Sequence, residues 1–309
     1  MTQAPFPLRL GTRGSPLALV QAHMVAAALR TAHGWADDAI RIVMVKTTGD
    51  RVQDRPLAEI GGKALWTKEL DRALLDGTID FAVHSMKDVE TIRPATIRIA
   101  AMLPRADVRD RLVGAVSVAA LPDGARIGTS SPRRSAQLRH LRPDLSIVPF
   151  RGNVDTRLRK LADGEADATL LAAAGLDRLD RPDIGHAVPI ETMLPAPAQG
   201  AVGIEARADD QATLALLHAI DHADTHACVL AERAFLAALA ADCHSPVGAL
   251  AIREGDAIAI RAELLSEDGR HHIAGAIRIA ADAPAEAGAL ADQLLAQAPP
   301  AIAGLFAGR

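Results

Sequence analysis

Two short stretches decide the fold: Gly11-Thr12-Arg13-Gly14-Ser15-Pro16 and Gly128-Thr129-Ser130-Ser131-Pro132. The first follows the alternation Leu8-Arg9-Leu10 and the second follows Ile127, so each leaves the end of a short strand. Ser15 and Ser131 suit a helix N-cap, because a serine hydroxyl accepts from a backbone N–H left free in the first turn. Pro16 and Pro132 then take the first helical position, where a missing N–H costs nothing. Apolar residues continue at helical spacing through Leu17, Val20, Met24 and Ala28 in one case and Leu138 and Leu141 in the other. A second echo runs in the same order. Asp76-Gly77-Thr78-Ile79-Asp80-Phe81-Ala82 matches Asp163-Gly164-Glu165-Ala166-Asp167-Ala168, each a glycine helix stop leading into an apolar strand. The chain uses one strand-loop-helix device twice, which predicts two related α/β lobes.

Working outward, strands are expected at Ile40 to Val45, Asp80 to Val83 and Ile97 to Met102 in the first lobe. The second takes Leu112 to Val116, Arg126 to Thr129, Leu145 to Pro149 and Ala168 to Leu171. After Pro195-Ala196-Pro197, a strand at Ala201 to Glu205 and a helix from Asp209 to Ile220 predict a return to lobe one. From Asp224 the pattern becomes a long helix, three strand-like runs (Val247 to Arg253, Ala257 to Leu265, His272 to Ile279) and an Ala-rich helix after Pro284. The fold class is therefore α/β with three domains: lobe one over 1–103 and 200–221, lobe two over 104–199, and a small α+β domain over 222–309. In strand-loop-helix units, anions sit where helix N-termini present free N–H groups at the carboxyl ends of strands. Two such lobes make a clamshell.

The 309 residues are 49% hydrophobic with a formal net charge of -4, which excludes a bulk electrostatic partner such as nucleic acid or an anionic membrane. Two cysteines, Cys228 and Cys243, form no disulfide framework or zinc motif and fit a reducing cytoplasm. The apolar stretch after Arg13 is broken by Gln21 and His23, no small-residue cleavage site follows it, and no run reaches a membrane span, so a soluble, unexported protein is expected.

Of 34 Lys and Arg residues only five are Lys, and the arginines cluster: Arg126, Arg133, Arg134, Arg139, Arg142, Arg151, Arg157 and Arg159 lie within one segment. A solvated helix face and a GC-rich genome both compete with a carboxylate-binding site as explanations. Position favours the site. Arg133 and Arg134 fall in the first turn of a helix, where a cation opposes the helix dipole unless an anion sits among them. Thr129, Ser130 and Ser131 add hydroxyls there. Arg151-Gly152-Asn153 ends another strand, with Asn153 as cap and Arg157 on the following turn. His84-Ser85-Met86-Lys87-Asp88 leaves a strand on the glycine-loop side. Spacing alone leaves open whether Lys87 and Asp88 are a surface pair or whether Asp88 is a carboxylate poised to stabilise a developing cation. Residues 46–63 suit either an ordinary loop or one that closes over a cleft. Cys228 lies in an apolar helical run, whereas Cys243, in the polar turn Asp242-Cys243-His244-Ser245-Pro246, is either an incidental loop cysteine or a reactive thiol.

The ordered motifs GGKALWTKEL, HSMKDV, GTSSPRR, RGNVDTRL, AGLDRL, PAQGAVGIE and ADCHSPVGA span nearly the whole chain and resemble those of the porphobilinogen deaminases. The resemblance implies two periplasmic-binding-protein-like lobes and a monomeric enzyme that joins four porphobilinogen molecules head to tail, with loss of ammonia, and releases hydroxymethylbilane. It implies a dipyrromethane cofactor held by Cys243 through a thioether, with Asp88 catalytic. Ser85, Lys87, Asp88, Thr129, Ser130, Arg133, Arg134, Gln199 and Gly200 would contact the cofactor. Arg13, Ser15, Arg151, Asn153, Arg157 and Arg178 would bind substrate, and Lys63 and Trp66 would belong to a lid. Departures from the family pattern occur at Trp66 for Phe, at Glu59 for Lys, and at Pro132 for Leu. The rival is a non-enzymatic two-lobe module for a small anion, since fold alone does not fix function. A transferase using a phosphorylated substrate is a weaker rival: helix-end arginines would equally hold phosphate, but no GxxxxGK[ST] loop is present.

Overall fold

The computed structural model describes residues 7–45, 67–242 and 244–307. The repeated grammar becomes two five-stranded sheets of like topology. In the first, β1 (Leu8–Thr12) runs parallel to β2 (Ile40–Met44) on one side and β3 (Phe81–Ser85) on the other. Strand β10 (Val202–Arg207) inserts antiparallel between β3 and β4 (Ile97–Met102), giving the order β2-β1-β3-β10-β4. After the Pro-rich crossing the chain thus re-enters this sheet, and β10 fills the place between β3 and the edge strand β4.

The second sheet uses β5 (Asp110–Val113), β6 (Arg126–Gly128), β7 (Ser146–Val148), β8 (Ala168–Ala172) and β9 (His186–Ala187) in the order β7-β6-β8-β5-β9. Strand β6 is parallel to β7 and β8, while β5 is antiparallel to β8 and β9. The sequence reading started β5 at Leu112; it starts two residues earlier because Asp110, a residue type normally kept out of strands, is buried there in an ion-paired cluster.

Both predicted caps form. Ser15 Oγ accepts from Ala18 N at 3.3 Å before α1 (Pro16–His33), and α2 (Lys68–Leu75) follows later in the same lobe. Ser131 Oγ accepts from Arg134 N at 3.4 Å before α3 (Pro132–Leu141), which is followed by α4 (Val154–Ala162). A cap of this kind contributes about 1 kcal/mol. Helices α2 and α4 end alike, with Gly77 at φ +65° and Gly164 at φ +74°. The second aspartate of each echo then turns back to an arginine within the first two residues of the neighbouring strand. Asp80 accepts from Arg9 N at 2.6 Å, and Asp167 accepts from Arg126 N at 2.7 Å. Arg9 and Arg126 also bind the same carboxylates through their side chains.

The chain continues through α5 (Ala173–Arg178), α6 (Gln211–His218) and α7 (Ala223–Ala238) to an antiparallel sheet of β11 (Val247–Glu254), β12 (Ala257–Leu265) and β13 (His272–Ala280). Alternate residues of β12 are buried, and Ile258, Ile260 and Leu264 join Phe235 and Leu239 of the α7 region and Leu290 and Leu294 of α8 (Gly288–Gln297) in one apolar core. Two compact units result: Met1–Arg105 with Ala201–His226, and Ala106–Gly200 with Ala227–Arg309. The third sheet thus packs with the second lobe, where Ala249 N donates to Pro195 O at 3.1 Å and the His140 ring meets Gly269 O at 3.0 Å. No described helix is long and apolar enough to cross a membrane.

Candidate active site

In the first unit, β1 and β3 are parallel, so their carboxyl ends open on one edge. Thr12, Arg13 and Ser15 leave β1 there, and Ser85 to Asp88 leave β3. A pocket at this edge is lined by Arg13, Ser15, Gln21, Thr67, His84, Ser85 and Asp88. Residues Met86–Asp88 form one 3-10 turn, pinned by the buried Met86 side chain and by Met86 N donating to Ala201 O at 3.1 Å. Asp88 is thereby exposed on a rigid support, with Lys87 half-buried beside it.

Beneath the pocket lies a layer of buried charge. Glu205 of β10 is fully buried, 3.1 Å from His84 Nε2 and 2.8 and 2.9 Å from the Arg93 guanidinium. Burial raises the Glu205 carboxyl, but neighbouring His84 and Arg93 outweigh it and hold the group down at about 2. Arg93 also reaches Asp71 at 2.5 Å and Glu90 at 3.3 Å. Gln21, buried in α1, donates to Ser85 Oγ at 2.8 Å and so fixes one wall.

In the second unit the carboxyl ends of β6, β7 and β8 lead to Thr129 and Ser130, to Arg151 and Asn153, and through α5 to Arg178. Asn153 caps α4, accepting from Thr156 N at 2.9 Å, and Arg157 Nε donates to Gly152 O at 3.1 Å. Arg133 and Arg134 are only 3% and 5% exposed. The helix dipole calls for an anion among them, and that anion is the chain's own Asp110. Its carboxylate accepts from Arg133 Nη2 at 2.8 Å, from Arg134 Nη2 at 2.6 Å and from Gln199 Nε2 at 2.9 Å. Burial raises the Asp110 carboxyl while the two guanidinium groups hold it far below the usual carboxylate range. Arg133 also donates to Leu194 O at 2.7 Å, and Arg134 to Leu170 O at 2.9 Å. Arg178 Nη2 donates to Gly200 O at 2.7 Å. Gly200 sits at φ +86°, with the place of a Cβ 2.6 Å from Ala106 O, so the close backbone approach that needs glycine here is to the chain itself. The Nε groups of Arg133 and Arg178 are buried and have no acceptor among the described residues.

The structure therefore gathers Arg13, Ser15, Ser85, Lys87 and Asp88 in unit one, and Thr129, Ser130, Arg133, Arg134, Arg151, Asn153, Arg157, Arg178, Gln199 and Gly200 in unit two. Cys243, Lys63, Trp66, Glu59 and the 46–63 loop lie outside the described residues. Sequence reasoning passed over Gln21, His84 with Glu205, and Asp110. Only the apolar run broken by Gln21 carried a visible signal.

The chain matches two family models, described as "Porphobilinogen deaminase, dipyromethane cofactor binding domain" over residues 8–215 and "Porphobilinogen deaminase, C-terminal domain" over residues 226–297. It is 62% identical over 307 residues to a porphobilinogen deaminase of Sphingopyxis alaskensis, covering 97% of each chain. A porphobilinogen deaminase of Paracoccus denitrificans is 53% identical over 306 residues, covering 97% of this chain and 98% of that one. Among solved structures, a periplasmic substrate-binding protein of an ABC transporter from Coxiella burnetii aligns over 69% of this chain and 91% of its own, with 16% identity and a TM-score of 0.43.

Proposed function

The chain belongs to the porphobilinogen deaminase family, and from that premise we propose how its residues divide the work. The reaction is a transferase step of porphyrin and heme biosynthesis: four porphobilinogen molecules are condensed with loss of ammonia, and hydroxymethylbilane is released. The non-enzymatic alternative is not retained, since full-length relatives at 62% and 53% identity are deaminases.

The enzyme works with a dipyrromethane cofactor. Our reading attaches it to Cys243 through a thioether, supported by the polar turn around that residue and by the burial of the other thiol, Cys228. When bound, the dipyrromethane supplies the free α-carbon to which the first pyrrole is joined. Every pyrrole of such a chain bears acetate and propionate groups. The orphaned, desolvated Nε donors of Arg133 and Arg178 and the hydroxyls of Thr129 and Ser130 beside a helix N-terminus suit those carboxylates. Ser85, Lys87, Thr129, Ser130, Arg133, Arg134, Gln199 and Gly200 would hold the cofactor. Arg13, Ser15, Arg151, Asn153, Arg157 and Arg178 would bind the carboxylates of incoming substrate. The reading also takes the enzyme as a cytoplasmic monomer that acts on a small molecule without a nucleic-acid or membrane partner.

The observation that carries the mechanism is the exposed Asp88 carboxylate, held on a rigid turn in the pocket it shares with Arg13 and the N-terminus of α1. There it accepts a hydrogen bond from the pyrrole N–H of porphobilinogen. As the bond to ammonia breaks, its fixed negative charge stabilises the cation that forms. Preorganised groups of this kind contribute about 3 to 4 kcal/mol to the barrier. Asp88→Ala is therefore expected to lower kcat by roughly a thousandfold with little change in KM, read as ammonia and tetrapyrrole released per enzyme. A variant within tenfold of wild type would remove Asp88 from the chemistry.

A further inference from the structure

Glu232, on α7, is fully buried and engages two backbone N–H groups at once. Its Oε2 accepts from Ala198 N at 2.5 Å and its Oε1 from Ala251 N on β11 at 2.7 Å. Ala198 is itself buried and sits at φ +62°, a left-handed conformation that a side-chain-bearing residue holds only when its surroundings impose it. The next residue is Gln199. Its side-chain amide donates to Val108 O at 2.7 Å and to Asp110 Oδ1 at 2.9 Å, and Asp110 is the carboxylate on which Arg133 and Arg134 close. The carbonyl of Gly200 then receives Arg178.

We infer that Glu232 is a positioning residue for the arginine site of the second unit. By capturing the Ala198 N–H it holds the turn left-handed, aims Gln199 at Asp110, and so sets the two guanidinium groups and the carbonyl that orients Arg178. The inference rests on the assignment of Arg133, Arg134 and Gln199 to cofactor contacts. Glu232 is fully buried, so its part is to position other groups. Its carboxylate is needed because two N–H donors each take a different oxygen, and an amide of the same shape has one oxygen to offer them.

Glu232→Gln tests this directly. Expected are a KM within twofold of wild type, a kcat lowered about tenfold, and faster amide hydrogen exchange in the peptide spanning residues 195–200. Ala198→Gly in the Glu232→Gln background is expected to return kcat to within about threefold of wild type, because glycine adopts the left-handed turn unaided. Because glycine at this φ also adds stability, the rescue is read as kcat per folded enzyme, which a loss of stability alone leaves unchanged. Wild-type kcat and unchanged exchange in Glu232→Gln would overturn the inference, as would a loss that Ala198→Gly fails to restore. Should Glu232→Gln not fold, Ala198→Val carries the test, since it keeps the carboxylate and burdens the turn with a β-branched residue. It should lower kcat at constant KM, and a wild-type kcat there refutes the role. If the wild-type protein consumed no porphobilinogen, the functional reading would fall, while the exchange data would still judge the clamp.

Discussion

The two lobes share a topology, a capped strand-loop-helix device and even an arginine near the head of a strand that bonds back to the echoed aspartate, yet they store charge differently. Following Pro132, lobe two places Arg133 and Arg134 on the first turn of its helix; following Pro16, lobe one places Leu17 and Ala18. The inserted antiparallel strand changes in step. Asp110 of β5 lies opposite Ala172, the last residue of β8, whereas Val202 of β10 lies opposite Ser85, the last residue of β3. Where the helix start is cationic the facing strand position supplies an anion, Asp110, and where it is apolar that position is apolar, Val202. Charge in lobe one sits elsewhere: Arg13 and Asp88 line the pocket, and Glu205 lies deeper along the same inserted strand. One backbone device thus serves two purposes, depending on which few side chains occupy equivalent places.

The largest effect on stability should come from breaking the lobe-two cluster on one side. Asp110→Ala leaves two buried guanidinium groups without their anion and is expected to destabilise by about 3 to 5 kcal/mol in urea unfolding. A loss under 1 kcal/mol would mean that water reaches the site and that the cluster is not closed.

Acid should loosen lobe one before lobe two. Glu205 titrates at about 2 when folded, below its unfolded value of 4.5, so its contribution is present above pH 4.5 and is lost as pH falls toward 2. That shift corresponds to about 3 kcal/mol. Asp110, held further down, keeps its contribution to more acidic pH. Amide exchange between pH 4.5 and 2.5 should therefore show β3 and β10 losing protection ahead of β5 and β8. The reverse order would undo the comparison.

The smallest change in stability is expected from the most extensive substitution. Replacing the cluster with apolar side chains through Asp110→Val, Arg133→Leu and Arg134→Met removes the anion and both cations together, which is commonly neutral when the replacements are of similar volume. The triple variant should lie within about 2 kcal/mol of wild type in urea while losing porphobilinogen turnover. A triple variant as unstable as Asp110→Ala would show that the cluster is a structural keystone of that lobe.

What the sequence disclosed follows the range over which each signal acts. The caps at Ser15 and Ser131, the glycine stops at Gly77 and Gly164, and the alternation in β12 are written within a few residues, and they appear where they were read. The return of β10 was legible as a strand but not as an insertion between β3 and β4, because pairing with β3 joins residues more than a hundred positions apart. Asp110 was invisible for the same reason: nothing near an aspartate in the sequence announces that arginines 23 and 24 residues later will bury it. Glu232 and the left-handed Ala198 are likewise joined only in space. The Ala-rich segment of α5 has no period of its own to mark it as a helix.

We propose that this chain builds its product on a dipyrrole anchored at Cys243. The most direct test is the intact mass of the purified protein, with peptide mapping of the segment that contains Cys243 before and after incubation with porphobilinogen. The account predicts a dipyrrole adduct confined to Cys243 and transient heavier species, each larger by one pyrrole unit. A bare Cys243 after incubation, or the adduct on Cys228, would contradict it.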